Sequence, residues 1–173
     1  IAMNYYYLVP FFILISCSKS YQNDIPLQDI HDQVSSSVEI TLTEKGNIKA
    51  LIKSNLLERN NENLELKLTD NVNVDLYDDN YKHKSLITSH YAFVSEKENK
   101  IYAFGDVVVS ADNGQQLLTD SLLWDNKKDK IFTDANLTFI SGDFDTLYGM
   151  GFESNIDLTD WKIIKPRGSI NNE

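Results

Sequence analysis

The chain of 173 residues holds one cysteine, three prolines, seven glycines and three histidines. One cysteine excludes a disulfide within the chain. His31, His83 and His90 lie too far apart to form a motif. No HExxH, GxSxG or glycine-rich phosphate loop occurs, so no metal, no cofactor and no catalytic residue is expected. Basic residues are few, 16 Lys and Arg against 26 Asp and Glu, for a formal net charge of −10. Phosphate backbones need Lys and Arg gathered on one face, and no such cluster exists, so nucleic acid is excluded as a partner. Also missing is an apolar run of the about 20 residues that a membrane-spanning helix needs. What remains is 42% apolar and 24% charged, the composition of a folded domain. The length fits one domain and a tail. Val, Ile, Thr, Tyr and Phe are plentiful and Ala is scarce, a bias toward strands.

The longest apolar run, Tyr5 to Ile15, has the length of a secretory signal core. It ends in Leu14-Ile15-Ser16-Cys17, which resembles a bacterial lipobox. That resemblance implies that residues 1–17 are a lipoprotein signal ending in Cys17, the lipidation site. It also implies two or three acyl chains on Cys17, because one chain holds a protein to a membrane only marginally. The alternative is a stray thiol after a buried apolar segment. Residues 18–37, with a proline and the triplet Ser35-Ser36-Ser37, read as a flexible tether. The folded domain is expected over 38–173.

Four stretches in that domain repeat one plan. They begin at Leu51, Leu86, Leu117 and Leu147, spaced by 35, 31 and 30 residues. Each has an apolar strand, a charged turn such as "SEKENK" or "DNKKDK", and a second strand. A period of this length marks a repeat architecture, and a period of two inside each unit marks strands. In the first unit Leu64, Leu66, Leu68, Val72, Val74 and Leu76 alternate with polar residues, one face apolar and one wet. The same register gives Ile101, Ala103, Val107, Val109 and Ala111, then Ile131, Thr133, Leu137 and Phe139. The other face of the second unit is partly apolar too, through Tyr102, Phe104 and Val108. Asp70 and Gly105 stand at the places where these strands are expected to bend. The pattern predicts about eight to ten strands in stacked antiparallel hairpins, an all-β fold. Such a stack hides its apolar face only by folding over into a sandwich, a jelly roll or an open barrel.

The stretch "FGDVVVSADNGQQLLTDSLLWDNKKDKIFTD" resembles the LptC family of periplasmic proteins. The residues that carry the resemblance are Gly105-Asp106-Val107, Gly114, Leu118-Thr119-Asp120, Leu122, Trp124-Asp125 and Lys130-Ile131-Phe132-Thr133-Asp134. Gly149, Gly151 and Phe152 resemble the family's terminal unit, and the likeness covers Ile48 to Ile170. It implies an open antiparallel β-jelly roll of OstA-like type, in the periplasm of a Gram-negative bacterium. It implies a bridge component that takes lipopolysaccharide from the inner-membrane lipopolysaccharide-export ABC transporter toward the outer membrane. An LptA-like jelly-roll protein would join it by edge-strand pairing. Many family members are tethered by a transmembrane helix. This chain carries a short lipobox instead, and the inner membrane is favoured for the anchor.

The groove residues expected to hold acyl chains are Leu66, Leu68, Val72, Val74, Ile101, Ala103, Val107, Val109, Ile131, Leu137 and Phe139. A sealed core and a lipid groove read alike in sequence, so a structural or glycan-binding β-repeat surface lipoprotein stays open as the alternative. Asp143 and Asp145 in "SGDFD" read as turn residues rather than an acid–base pair. Asp120, Asp125 and Asp134 read as solvated strand ends. Trp124 and Trp161 are expected to fill the ends of the sheet. Ser89 and Thr133 on the inner faces hint at a looser interior. Lys162, Lys165, Pro166 and Arg167 blunt the C-terminal edge.

Overall fold

The computed structural model describes residues 33–60 and 64–168. Cys17, the lipobox and the tether as far as Asp32 lie outside the described residues. Among the described residues nine strands form one antiparallel sheet in strict chain order, without a crossover and without closure. They are β1 Gln33–Glu44, β2 Asn47–Asn60, β3 Glu65–Tyr77, β4 His83–Ser95, β5 Lys100–Ala111, β6 Gln116–Asp125, β7 Lys130–Ile140, β8 Thr146–Asn155 and β9 Trp161–Arg167. The fold is all-β, as the alternation predicts, and the open unclosed sheet matches the jelly-roll expectation. One boundary differs from the sequence pattern: β1 takes in Ser35 and Ser36, which pair with Leu57 and Leu56. Ladder bonds use only backbone groups, so a serine run can join an edge strand as readily as it forms a tether.

A crease crosses the whole sheet. Ser37 on β1 has left-handed backbone and no ladder partner, and register breaks fall between Lys53 and Leu56 on β2 and between Thr69 and Val72 on β3. The line continues between Thr88 and Tyr91, Phe104 and Val107, Thr119 and Leu123, and Thr133 and Asn136. It ends at Gly151, which pairs with nothing on β9. Aligned bulges bend the strands from β2 to β8 at one level, and the sheet folds over along that line. Left-handed backbone marks the sharpest points: Asp70 and Asn71 on β3, Gly105 and Asp106 on β5, and Gly151 on β8. At Gly105 an added Cβ would also stand 3.0 Å from the His90 ring.

The crease fixes which residues face inward. On β3, β5 and β7 the last inner residue before it and the first after it are four apart: Leu68 and Val72, Ala103 and Val107, Thr133 and Leu137. On β2, β4 and β6 they are three apart: Ser54 and Leu57, Ser89 and Ala92, Thr119 and Leu122. Odd strands keep their parity through the fold and even strands switch it. Ser54, Ser89, Thr119 and Thr133 are the buried polar residues at the crease. Their hydroxyls serve the backbone groups the bulges release: Ser54 Oγ donates to the Thr69 carbonyl at 2.8 Å, and Thr119 Oγ1 to the Asn136 carbonyl at 2.9 Å. Thr133 Oγ1 accepts from the Ala135 amide at 3.1 Å. They bind the crease together and do not loosen the interior.

Candidate functional site

The folded sheet has three boundaries: a packed interior, a mouth where the hairpin tips meet, and two ends at β1 and β9. Each of the eleven expected groove residues points inward. Leu68, Val107, Val109, Ile131 and Phe139 are 0% exposed, and the most accessible of the eleven, Leu137, is 5% exposed. They belong to one apolar cluster with Ala50, Ile52, Ile87, Val94, Leu117 and Trp124. Leu64, first in the alternating run, is the exception: it stands 42% exposed in the β2–β3 turn.

Polar contacts stitch the mouth. Tips of strands far apart in the sheet come together there. Ser85 Oγ on β4 donates to the Ile156 carbonyl beyond β8 at 2.6 Å, and both groups are buried. Asn113, in the β5–β6 turn, donates to the Asp157 carbonyl at 2.7 Å. Lys84 pairs with Asp78 at 3.3 Å and with Asp157 at 3.7 Å. At the other end of the mouth Asn126 donates to Glu44 at 3.5 Å. Lys49, only 6% exposed, pairs with Asp79 at 2.6 Å. That hydrogen bond is the main reason its pKa is raised, with the Asp129 and Glu44 charges adding to it. The Asp129 pKa is raised as well, chiefly because its carboxyl is set down among the turns; Lys49 opposes this, and Asp79, Asp157 and Asp78 reinforce it. None of these mouth residues stands out in the sequence, because they come from several turns and strand ends far apart in the chain.

Both ends are less finished. Val38, Ile40 and Leu42 on β1, and Trp161 and Ile163 on β9, are inner-face residues only half covered, since among the described residues no strand lies beyond them. At the β9 end lies a recess of about 520 Å³ lined by residues of β8 and β9, among them Leu147, Tyr148, Trp161, Lys162, Ile163 and Arg167. Trp161 packs on Phe139 with ring centres 4.7 Å apart, and Phe139 on Phe152 at 5.4 Å. Gly149 makes that packing possible: a Cβ there would stand 2.3 Å from Ile163 Cγ2 and 2.9 Å from the Lys165 carbonyl.

Other residues fall into place as supports. Trp124 is buried inside the sheet at 1% exposed, whereas Trp161 stands at an end. Asp125 is 4% exposed, a correction to its reading as a solvated strand end. Its Oδ1 accepts from the amides of Lys127 and Lys128 at 3.1 and 3.3 Å and so shapes the β6–β7 turn. Asp120 and Asp134 are exposed. Asp143 and Asp145 lie in the β7–β8 turn, closed by a Ser141 amide to Asp145 carbonyl bond of 2.9 Å. His83 on β4 links to Asp75 on β3 at 3.2 Å and to Asp112 in the β5–β6 turn at 2.8 Å, and nothing in its sequence context marked it. On the outer face Tyr91, Phe93 and Phe104 form an aromatic cluster, Tyr91 stacked on Phe104 at 5.4 Å.

A single creased sheet with an apolar inside and unfinished ends defines an open β-jelly roll. Among the described residues no group of His, Cys, Asp and Glu is placed to hold a metal ion. Comparison with protein families gives a match to LptC, lipopolysaccharide-assembly, LptC-related, over residues 7–168. The chain belongs to the LptC family. That family serves lipopolysaccharide transport in the periplasm of Gram-negative bacteria, and it is not known as a family of enzymes. Comparison with curated proteins gives no match. The family's residues now have structural reasons. Gly105 turns the crease, Val107 and Leu122 fill the inner face, Gly149 admits Ile163, and Phe152 closes the core beside Trp161.

Proposed function

We propose that this protein is a non-enzymatic bridge component that passes lipopolysaccharide from the inner-membrane export ABC transporter toward the outer membrane. Its acyl chains ride on the inner face, and the sugar–phosphate part stays in solvent. The sheet from β1 onward carries this work, after a tether that ends before Gln33 and an anchor at the lipidated Cys17 in the inner membrane. The observation that carries the reading is the half-covered apolar face at β1 and β9. A sealed spacer would close its ends with charge. Here the inner side chains run out to the last strand at each edge. Those edges pair with a neighbouring jelly roll by strand addition, β9 meeting the LptA-like partner even though Lys162, Lys165, Pro166 and Arg167 partly blunt that edge. Each buried CH₂ of a bound tail contributes about 0.8 kcal/mol, so a tail and the core residues compete for the same kind of contact.

The packed middle adds a condition. With the eleven groove residues nearly covered and the mouth stitched, a tail gains the interior only by spreading the two leaves or by entering at an end. Photocrosslinking amino acids at Val74, Val109 and Phe139 test the reading. Adducts with lipopolysaccharide that depend on ATP hydrolysis by the transporter are expected. A full set of inner positions without lipid adducts would move the protein to the alternative, a structural or glycan-binding surface lipoprotein.

A further inference from the structure

The outer face of the sheet from β5 to β9 carries a straight row of side chains. The register sets Val108 beside Leu118, Leu118 beside Thr138, Thr138 beside Tyr148 and Tyr148 beside Arg167. Strand neighbours lie about 4.8 Å apart, so the row runs about 19 Å across the sheet. The residues that alternate with it, among them Val107, Leu117, Leu137 and Phe139, fill the core, and the row is therefore turned away from the interior. Tyr148 is 55% exposed and Leu118 37%. Along the crease side of the row stand Asp106, Asp120 and Asn136, all exposed. Together these residues line a groove of about 530 Å³, within the range of small-ligand sites, about 300–1,000 Å³.

The polar groups of this groove are uncommitted. Among the described residues the side chains of Asp120, Asn136, Tyr148 and Arg167 make no hydrogen bond and no ion pair. Asp106 faces His90 at 3.6 Å. Elsewhere on the outer face charges are matched, Lys53 with Glu39, Lys67 with Glu58 and Lys130 with Glu153. The strands under the groove from β5 to β8 are laddered on both sides, so a peptide strand has no backbone edge to join there. Recognition falls to side chains: an apolar row with one phenol ring, two carboxylates, a carboxamide and a guanidinium. That set suits a sugar. A pyranose ring has an apolar C–H face, which lies on Leu118 and Tyr148. Its hydroxyls donate to carboxylate and amide oxygens and accept from a guanidinium. Charge decides which sugar. Arg167 stands against Asp106 and Asp120 on a chain of net charge −10, so a phosphorylated sugar is repelled.

We propose that this groove binds an uncharged glycan strand, laid across β5 to β9 with its rings on Leu118 and Tyr148 and its hydroxyls on Asp106, Asp120, Asn136 and Arg167. The site lies on the opposite side of the sheet from the inner face that the lipid reading uses, and it does not depend on that reading. Cargo on the inner face and a glycan on the outer face touch different side chains.

Amide spectra of the 15N-labelled full chain, titrated with chitotetraose and with cellotetraose, test the site. Both probes are uncharged and extended, and four rings match the length of the row. Shifts at the Leu118, Thr138 and Tyr148 amides are expected with at least one of them. Y148A, and separately the double variant D120A/N136A, should each weaken that binding about tenfold, whereas K162Q, outside the groove, should not. All these side chains are exposed, and the same spectra report that each variant is folded. No shift along the row with either sugar would overturn the site, and so would binding that Y148A and D120A/N136A leave unchanged. Equal or tighter binding of the same tetraose carrying a phosphate would overturn the choice of an uncharged glycan. Row shifts that grow with protein concentration in the absence of sugar would give the groove to a second copy instead. Lipopolysaccharide adducts at Val109 should be the same in Y148A as in the wild type. Their loss would put the groove on the lipid path and overturn the assignment, while their absence from both would count against the bridge alone.

Discussion

The middle of the folded sheet and its two ends use the same kinds of residue to different effect. In the middle, inner side chains from both leaves meet, and tips several strands apart are joined by Ser85, Asn113, Lys84 and Asn126. At the ends the same inward alternation continues through Val38, Ile40 and Leu42 on β1 and Trp161 and Ile163 on β9, which pack against the core but are only half covered. The difference comes from position in the sheet. An interior strand has neighbours on both sides and the opposing leaf across from it, whereas an edge strand lacks one of them. Stability is therefore concentrated where the sheet doubles over, and uncovered apolar surface is concentrated where a lipid or a neighbouring jelly roll could continue it.

Tryptophan truncation gives the largest contrast. Trp124→Ala is expected to cost about 3–5 kcal/mol, the usual loss for a buried aromatic in a core. Trp161→Ala should cost clearly less, because its ring is already part exposed. Urea unfolding of both variants measures this, and equal losses would erase the distinction between middle and end. Next comes Ser85→Ala, which leaves the buried Ile156 carbonyl without its donor and should cost about 1–3 kcal/mol. Replacing Ser35 with Ala, out on the β1 edge, should be near neutral in the same assay.

A functional version of the comparison uses a lock. Cysteines at Asn113 and Asp157, whose side chain and backbone already meet across the mouth, would form a disulfide that holds the leaves together. If tails enter by spreading the leaves, oxidation should abolish the lipopolysaccharide adducts at Val109. If they enter at an end, the adducts should persist. The smallest effect concerns Asp129. Its folded-state pKa is raised, so its contribution to stability is fullest in acid and is lost as pH rises through that pKa. At neutral pH the ionised carboxylate is a mild burden, and Asp129→Asn should stabilise the fold slightly. The gain should vanish at low pH, where both forms are neutral, and urea midpoints across pH 3–8 would show whether it does.

How far the pattern could be read depended on the strand. On β3, β5 and β7 inner residues are four apart across the crease, so a period of two carried straight through, and Leu66 to Leu76, Ile101 to Ala111 and Ile131 to Phe139 could be placed on one face. On β2, β4 and β6 the step is three. A count by twos fails there, so it does not place Ile87, Ala92 and Val94 on the inner face, and Trp124, expected at an end of the sheet, lies buried within it. Glycine marked the bend on β5. On β3 it was Asp70, a residue type that tolerates left-handed backbone. The buried serines and threonines misled, since the sequence holds no sign that a bulge will release carbonyls beside them. The mouth was invisible for a plainer reason. Lys49, Asp129, Ser85 and Asp157 are separated by scores of residues, and only the fold brings them together.

From its amino acids alone the chain is bound to be a stack of about nine antiparallel hairpin strands with one greasy face, because strand period, turn chemistry and repeat spacing are local properties written residue by residue. Whether that face lies sealed or open, and which charges meet or stay free at its borders, was decided by the crease. Doubling the sheet over sets the distances between residues far apart in the chain, and no local pattern encodes those distances.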